Sequence, residues 1–591
     1  MAPNYLTHRE IAMKSKILYL LTVLFIFSLT GCSSAGKKTL SMAYNAPAKR
    51  VIETGLPVLE EYQFNRKFWE KDPSLWSADA KTQESIRDSL GWQSVYDWTL
   101  ERVDEITAFA NAAKQDFDHC VVMGMGGSSL APDVFRQVFG KQEGYPELMI
   151  LDTTNPDSIA AVRAQINPAR TLFIFASKSG GTQEPASQFA YFYREVEQSG
   201  VVRAGKNFVA ITDEGTPLAK LGEEKHFRKV FINRSDIGGR FSALSYFGMV
   251  PAAVMGVDVK QVLALAQAEA KKMGVSAPVD KNIGLNLGVY MGTEVTAFNR
   301  SKMTLLLPEK ISALGAWLEQ LLSESAGKNG TGIVPVIETV ADSGFVYPKD
   351  HFFVRMDYLG ADNVLLEQEE NRLGAQGFDT FTISMARPEQ IGALFLVWEI
   401  ATVASCAQLH LNPFDNPDSS LSKKFTKQIL AQKKPVLPSL RISRALQPGL
   451  PKDSFVGKNL YPVLQEGDYV AILSYLNPTA EVKNQLNVLR QKIRQKTGHP
   501  VMLEYGPRYL HSMNQLYKGG ENRGVFLVLV SNPLQDVPVP QEAYTFKQLM
   551  HAQALGDFQA LDEKDRRAVW IYWEDNSLPE ETRLKELIDT F

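Results

Sequence analysis

The rhythm of hydrophobic and polar positions changes twice along this chain. From Ala43 to about Phe117 apolar residues recur at helical spacing, with tryptophans at Trp69, Trp76, Trp92 and Trp98 and no clear strand. That pattern predicts amphipathic helices. At His119-Cys120-Val121-Val122-Met123 a short continuous apolar run takes over and leads into Gly124-Met125-Gly126-Gly127-Ser128-Ser129. Further runs at Glu147–Leu151, Thr171–Ala176, Asn207–Thr212 and Lys229–Ile232 alternate with helical patterns. Such alternation predicts βαβ units and a parallel sheet. A second series begins near Lys302, with strands expected at Met303–Leu307, Phe352–Met356, Asp468–Leu476, Val501–Tyr505 and Val525–Val530. Long helices are expected at Glu309–Ser325, Pro388–Leu409 and Ala480–Lys496. Pro435-Val436-Leu437-Pro438 and Pro448–Pro451 mark an irregular connection in this half. The predicted fold class is α/β, with two doubly wound parallel-sheet domains behind a helical N-terminal region. The expected division is a leader over 1–41, helices over 42–115, a first α/β domain over 116–280 and a second, with C-terminal helices, over 281–591.

Composition narrows the chemistry. The chain has 591 residues, 45% of them hydrophobic, enough for a sizeable core. Lys+Arg 63 against Asp+Glu 66 leaves a net charge of -3, without the basic footprint of a nucleic-acid binder, so no nucleic-acid partner is expected. Three cysteines cannot build a disulfide framework. Cys120 and Cys406 lie in apolar runs and read as inert core thiols. No CxxC or HExxH spacing occurs and the eight histidines are scattered, so no metal site is expected.

The leader admits two readings. Met13-Lys14-Ser15-Lys16 is basic and precedes an apolar run from Ile17 to Leu29, about 13 residues, too short to span a bilayer but suited to a signal-peptide core. Leu29-Thr30-Gly31-Cys32 resembles a bacterial lipoprotein box with Cys32 as the acylated residue, and on that reading the protein is membrane-anchored. On the other, translation starts at Met42, and the twelve residues ahead of the basic segment, odd for a signal peptide, favour it.

Two loops could hold a phosphate. A strand, a glycine-rich turn and a helix together present free backbone N–H groups and a helix dipole to an anion. Gly124 to Ser129 fits that unit, although a dinucleotide fingerprint would need glycine where Ser129 stands; Asp152, at the end of the next strand, could mimic the ribose-binding acid. The second loop, Ser177-Lys178-Ser179-Gly180-Gly181-Thr182-Gln183-Glu184, crowds three hydroxyls and two glycines into a turn after a buried strand. Hydroxyls and turn amides can surround phosphate oxygens without a metal.

The spacing from Ser177 to Glu184 resembles the phosphate loop of the sugar isomerase (SIS) fold, and of the phosphoglucose isomerase family in particular. Ile237-Gly238-Gly239-Arg240-Phe241-Ser242 resembles that family's GGR[YF]S signature. Gln320 to Lys328 resembles its QxxxESxGK segment, which identifies Glu324 with the catalytic glutamate and sets Gln320 one helical turn earlier on the same face. Asn412-Pro413-Phe414-Asp415-Asn416-Pro417 resembles the NPFDQP stretch before the active-site lysine, placing that lysine at Lys423, with Lys424 as the neighbouring alternative. The stretch departs from the family pattern at Asn416, Asp418 and Ser420. Leu510-His511-Ser512-Met513-Asn514-Gln515 resembles the LHSxxQ helix, but it follows the lysine motif in chain order. That order resembles the isomerase half of bifunctional transaldolase/phosphoglucose isomerase proteins, as do Tyr505 to Tyr509, Asp72-Pro73-Ser74-Leu75-Trp76 and Leu90-Gly91-Trp92. His351 and His410 read as structural or surface residues.

The resemblance implies reversible isomerisation of D-glucose 6-phosphate and D-fructose 6-phosphate through a cis-enediol(ate). Glu324 would move the proton between C2 and C1, and Arg240 would stabilise the enediolate. His511 and Lys423 would act at the sugar ring during opening. Ser177, Lys178, Ser179, Thr182 and Glu184 would form the phosphate side, with Gly127, Ser128 and Gln320 on the sugar side. No cofactor is implied. Many relatives are dimers with shared active sites, so a homodimer is among the implied assemblies, and the sequence leaves open which subunit His511 serves. The alternatives are a non-catalytic sugar-phosphate-binding protein, an isomerase of another sugar phosphate such as mannose 6-phosphate, and a nicotinamide-dependent oxidoreductase, against which Ser129 argues. Sugar phosphates are cytoplasmic metabolites, so a cytoplasmic protein is expected, with residues before about Met42 poorly ordered and dispensable.

Overall fold

A computed structural model describes residues 39–338, 345–359, 363–432, 436–447, 449–450 and 457–591. The leader through Lys38, with Cys32, lies outside the described residues, as do Pro435, Pro448 and Pro451. The described chain opens on a short strand, β1 (Ser41–Tyr44), and continues through helices to the first sheet. That sheet comprises β2 (His119–Met123), β3 (Glu147–Leu151), β4 (Thr171–Ala176), β5 (Phe208–Asp213) and β6 (Lys229–Asn233), in the order β3-β2-β4-β5-β6, all parallel. The second comprises β7 (Lys302–Leu306), β8 (Val334–Glu338), β9 (His351–Tyr358) and β10 (Thr380–Met385), in the order β8-β7-β9-β10, with β1 added antiparallel to β10. The third comprises β11 (Leu440–Ile442), β12 (Tyr469–Tyr475), β13 (Val501–Tyr505), β14 (Gly524–Ser531) and β15 (Arg567–Trp573), in the order β13-β12-β14-β15, with β11 antiparallel to β15.

The α/β class and the dominance of parallel strands agree with the expectation, but among the described residues the sheets number three rather than two. Residues 281–591, expected to hold one domain, carry the second and third sheets. The miss has a local cause: β8, β10, β11 and β15 were not read as strands, and the five candidates left in that half suit a single sheet. Proline at Pro335 disguises β8, because an N–H is missing from the ladder. β1 was also unread, being only four residues long. It corrects the expectation for the chain ahead of Met42, since Leu40 is buried and Ser41 pairs with Ser384.

The three sheets share one winding, in which strands follow the spatial order second, first, third, fourth. The direction of the crossovers reverses between the first and third strands, and ligand crevices in open sheets form there, beyond the carboxyl ends. In the first sheet these strands are β2 and β4. The loops Gly124–Ser129 and Ser177–Glu184 therefore leave from the two sides of the reversal point.

The core lies between the sheets and their helices. The helix Ile391–Gln408 is buried along its whole length and packs on the helix Ile283–Thr296. It is long and apolar enough to cross a membrane by composition, yet here it is an interior helix. Cys120 and Cys406 are buried free thiols, pushed up by desolvation, Cys406 to about 12. The N-terminal helices support the second half of the motif set. Trp92 stacks on Phe241 at 4.9 Å, Phe241 lies 5.4 Å from Phe414, and Trp76 meets Phe414 edge-on at 5.3 Å. Trp76 also donates its indole N–H to the Val403 carbonyl at 2.8 Å. The Asp72–Trp76 and Leu90–Trp92 segments thus hold an aromatic ladder beneath Arg240.

His351, at the start of β9, is fully buried, with Nδ1 2.8 Å from the Thr304 hydroxyl. Desolvation pushes its pKa down to about 3. Because an unfolded histidine takes up a proton near pH 6.5 and the folded one does not, stability falls as pH drops from about 6.5 towards 3. Chemical denaturation at pH 7 and pH 5 should show His351→Leu to have lost about 2 kcal/mol of the parent's pH dependence. An equal dependence in both proteins would mean that His351 protonates normally in the fold.

Candidate active site

The glycine loop after β2 makes a tight turn whose backbone is pressed from two sides. Gly126 has φ +55°, and a Cβ there would stand 2.7 Å from the Gln320 amide nitrogen and 2.8 Å from the His511 carbonyl. At Gly127 a Cβ would stand 1.9 Å from the carbonyl oxygen of Gly239. Only glycine permits this approach, and it joins the first motif directly to the Gly-Gly-Arg turn. Ser128 is buried in the same turn.

Arg240 is 5% exposed. Its Nη1 donates to Glu324 Oε2 at 3.1 Å and its Nε to the Ser325 hydroxyl at 2.9 Å. Nη2 donates to the carbonyl oxygens of Pro413 and Asp415, the latter at 3.1 Å. Lys328 binds the same segment, donating to the Asn412 carbonyl at 2.8 Å and to the Asp415 carboxylate at 2.7 Å. Two buried cations therefore clamp the Asn412–Pro417 stretch against the Glu324 helix (Ala313–Ala326). Burial pushes the Glu324 carboxyl above its ordinary range, although Arg240, Gln320 and His511 oppose the shift. Gln320 lies 3.5 Å from Glu324 through its amide nitrogen, and its carbonyl oxygen is buried without a partner. An unpaired buried acceptor beside the carboxylate suits a substrate hydroxyl.

On the other side of Gly126 a cavity of about 190 Å³ opens. Ser179, Thr182 and Glu184 line it from the loop after β4, and Lys423 and Lys427 from the helix Ser420–Leu430. His511 and Gln553 complete it from the third sheet's connections. Lys424 does not line it. Ser177 and Thr182 share a hydrogen bond between hydroxyls at 2.9 Å, and Ser179 accepts the Gly181 N–H at 3.4 Å. Lys178 is the exception in this loop. Its ammonium pairs with Asp213 and donates to the Ser235 carbonyl at 2.7 Å, which ties the loop to the ends of β5 and β6.

His511 follows β13 and sets its Nε2 2.9 Å from Glu184 Oε1. A carboxylate can only accept, so Nε2 carries a proton. Burial alone would raise the Glu184 carboxyl. The charge and hydrogen bond of His511, aided by Lys423, outweigh burial and hold the carboxyl below its ordinary range. His511 and Glu184 meet within the same chain.

The sequence missed several participants. Lys328 and Ser325 stand inside a quoted motif without having been given a role. Thr154 and Gln553 carry no motif; the only signal for Gln553 is a polar residue in the mostly apolar run of the helix Phe546–Glu563. Asp152, weighed as a ribose ligand, is paired instead with Arg508 at 3.2 Å. His351 does not line the cavity, nor does His410. Among the described residues, no group of three or more His, Cys, Asp or Glu side chains could hold a metal ion. Larger clefts of about 820 and 1120 Å³ lie elsewhere. In the second, Lys302 is paired with Asp350 and Arg523 with Glu521.

Comparison with known proteins agrees with this geometry. Residues 99–342 match the family model described as phosphoglucose isomerase. The chain is 25% identical over 390 residues to a probable glucose-6-phosphate isomerase of Methanococcus maripaludis, covering 60% of this chain and 86% of that one. It is 25% identical over 425 residues to a glucose-6-phosphate isomerase of Citrifermentans bemidjiense, covering 65% and 78%. Among solved structures, a hypothetical protein from Thermus thermophilus aligns with a TM-score of 0.57 at 22% identity, over 66% of this chain and 100% of that one. A glucose-6-phosphate isomerase from Chlamydia trachomatis aligns with a TM-score of 0.54 at 19% identity, over 66% and 88%. These two likenesses establish the fold. Both glycine loops, the Gly-Gly-Arg turn and the Glu324 helix fall inside the matched family span. Over residues 99–342 the chain is therefore similar to the phosphoglucose isomerase family.

Proposed function

We propose that this protein is a glucose-6-phosphate isomerase, interconverting D-glucose 6-phosphate and D-fructose 6-phosphate. The observation that carries the reading is the buried Arg240–Glu324 pair, 3.1 Å apart, beside a cavity that gathers the hydroxyl loop, Lys423 and the His511–Glu184 pair. Aldose–ketose isomerisation needs a base that removes a proton at C2 and returns it at C1. Glu324 serves as that base. Its raised pKa makes the carboxylate a better proton acceptor, and the partner-free oxygen of Gln320 offers a neighbouring hydroxyl contact. As C2 loses its proton, negative charge develops on the enediolate oxygens. The fixed guanidinium of Arg240 stabilises that charge without having to reorganise.

Ring opening precedes this step. A proton leaves the anomeric hydroxyl and another reaches the ring oxygen as the carbon–oxygen bond breaks. His511 moves protons here, its ring oriented by Glu184, and the ammonium of Lys423 faces the charge that builds on the ring oxygen. Ser177, Ser179 and Thr182 hold the phosphate, with Gly127, Ser128 and Gln320 on the sugar side. Lys178 and Glu184 act from behind, Lys178 by tying the loop to Asp213. Binding of the remote phosphate helps orient the reacting carbons. The reading calls for no cofactor and places the enzyme in the cytoplasm, where sugar phosphates are made and used.

A coupled assay from fructose 6-phosphate on the full chain tests the reading. Glu324→Gln should lower kcat by about 10²–10⁴-fold while keeping an acceptor for Arg240 and hence the fold. An inactive parent that still binds fructose 6-phosphate would instead indicate a sugar-phosphate-binding protein, and greater activity with mannose 6-phosphate would reassign the substrate. The pH profile is a second test. The base works ionised, so kcat/KM should rise with pH through a pKa above the usual glutamate value of about 4.3; an acid limb at or below that value would remove Glu324 from the role.

A further inference from the structure

Gln553 lies on the helix Phe546–Glu563, is 3% exposed, and sits against the candidate site from the third sheet's side. Its amide nitrogen donates to Glu184 Oε1 at 2.7 Å, and its amide oxygen accepts the Thr154 hydroxyl at 2.6 Å. The orientation is chemically forced. A carboxylate cannot donate, so the NH₂ group must face Glu184, and the carbonyl then needs a donor, which Thr154 supplies. Thr154 is itself held in a rigid loop, because Gln188 donates to the Thr153 carbonyl at 2.8 Å and Asn155 caps the next helix. Glu184 Oε1 therefore receives two N–H groups, one from Gln553 and one from His511.

We infer that Gln553, braced by Thr154, is a positioning residue that sets the plane and proton affinity of Glu184 and through it the state of His511. The inference rests on the isomerase reading above. Two donors on one oxygen fix the carboxylate where His511 Nε2–H meets it. They also share its negative charge, which leaves less of it to act on the His511 N–H. The other ionisable groups that feel this pair are Lys423 across the cavity, Tyr475 behind Glu184 and Glu324 beyond Gly126. Asp557, one turn along the Gln553 helix, is already paired with Lys518 at 2.7 Å.

The test compares the full-length parent with Gln553→Met, which conserves volume but removes the N–H, and with Thr154→Val, which disturbs packing least. Gln553→Met should lower kcat about 10- to 100-fold with little change in KM, and the histidine-dependent limb of the kcat–pH profile should move to higher pH. Thr154→Val should shift both quantities the same way by less. Gln553→Glu places two carboxyls together, so its activity should recover as pH falls and one of them takes a proton. A loss that is the same at every pH, in step with a lower Tm, would reduce Gln553 to a packing residue and overturn the inference. Full activity in Gln553→Met would overturn it too and leave the isomerase reading standing, whereas an inactive parent would remove both.

Discussion

The Arg240 guanidinium is the point on which the site depends. Its N–H groups reach a carboxylate, a hydroxyl and two main-chain carbonyls that come from the Glu324 helix and the Asn412–Pro417 stretch. A buried cation of this kind is tolerated only when its donors are matched. The matching fixes the distance between the helix that carries Glu324 and the segment that leads to Lys423. Lys328 repeats the clamp from the next turn. The aromatic ladder from Trp92 to Trp76 fills the space beneath, so the guanidinium is held by packing as well as by hydrogen bonds.

Around this clamp two buried glutamates meet opposite fates. Desolvation acts on both. Beside Glu184 it is outweighed by His511 and Lys423, and that carboxyl is held below its ordinary range. At Glu324 desolvation prevails over Arg240, and the carboxyl becomes a stronger base. Environments that push like groups apart in this way are how one protein assigns them separate tasks. Here the separation is made by a single glycine, Gly126, which stands between Gln320 and the His511 backbone.

Much of this was legible before any coordinates. The two phosphate-type loops declare themselves because glycine and hydroxyl residues follow an apolar run immediately, a purely local signal. The choice between Lys423 and Lys424 was left open by the sequence, and it is the structure that separates them. Lys423 shares a face with Lys427 and turns into the cavity, while Lys424 lies roughly 100° further round the helix. What the sequence hid depends on long-range meetings. Thr154 and Gln553 are 399 positions apart, and no spacing rule relates them. The third sheet escaped for a different reason: Pro335 and short edge strands left too few recognisable runs to reveal a second boundary within residues 281–591.

The contact between Gly127 and Gly239 bears on how such an enzyme can change. Where two main chains touch with no room for a methyl group, neither position offers a side chain that substitution could enlarge in small steps. The cavity wall is different: Lys423 and Lys427 reach it with side chains from an amphipathic helix, where a substitution changes the lining directly. The site can therefore be reshaped from the helix side, while the glycine contact holds its two turns at a fixed distance.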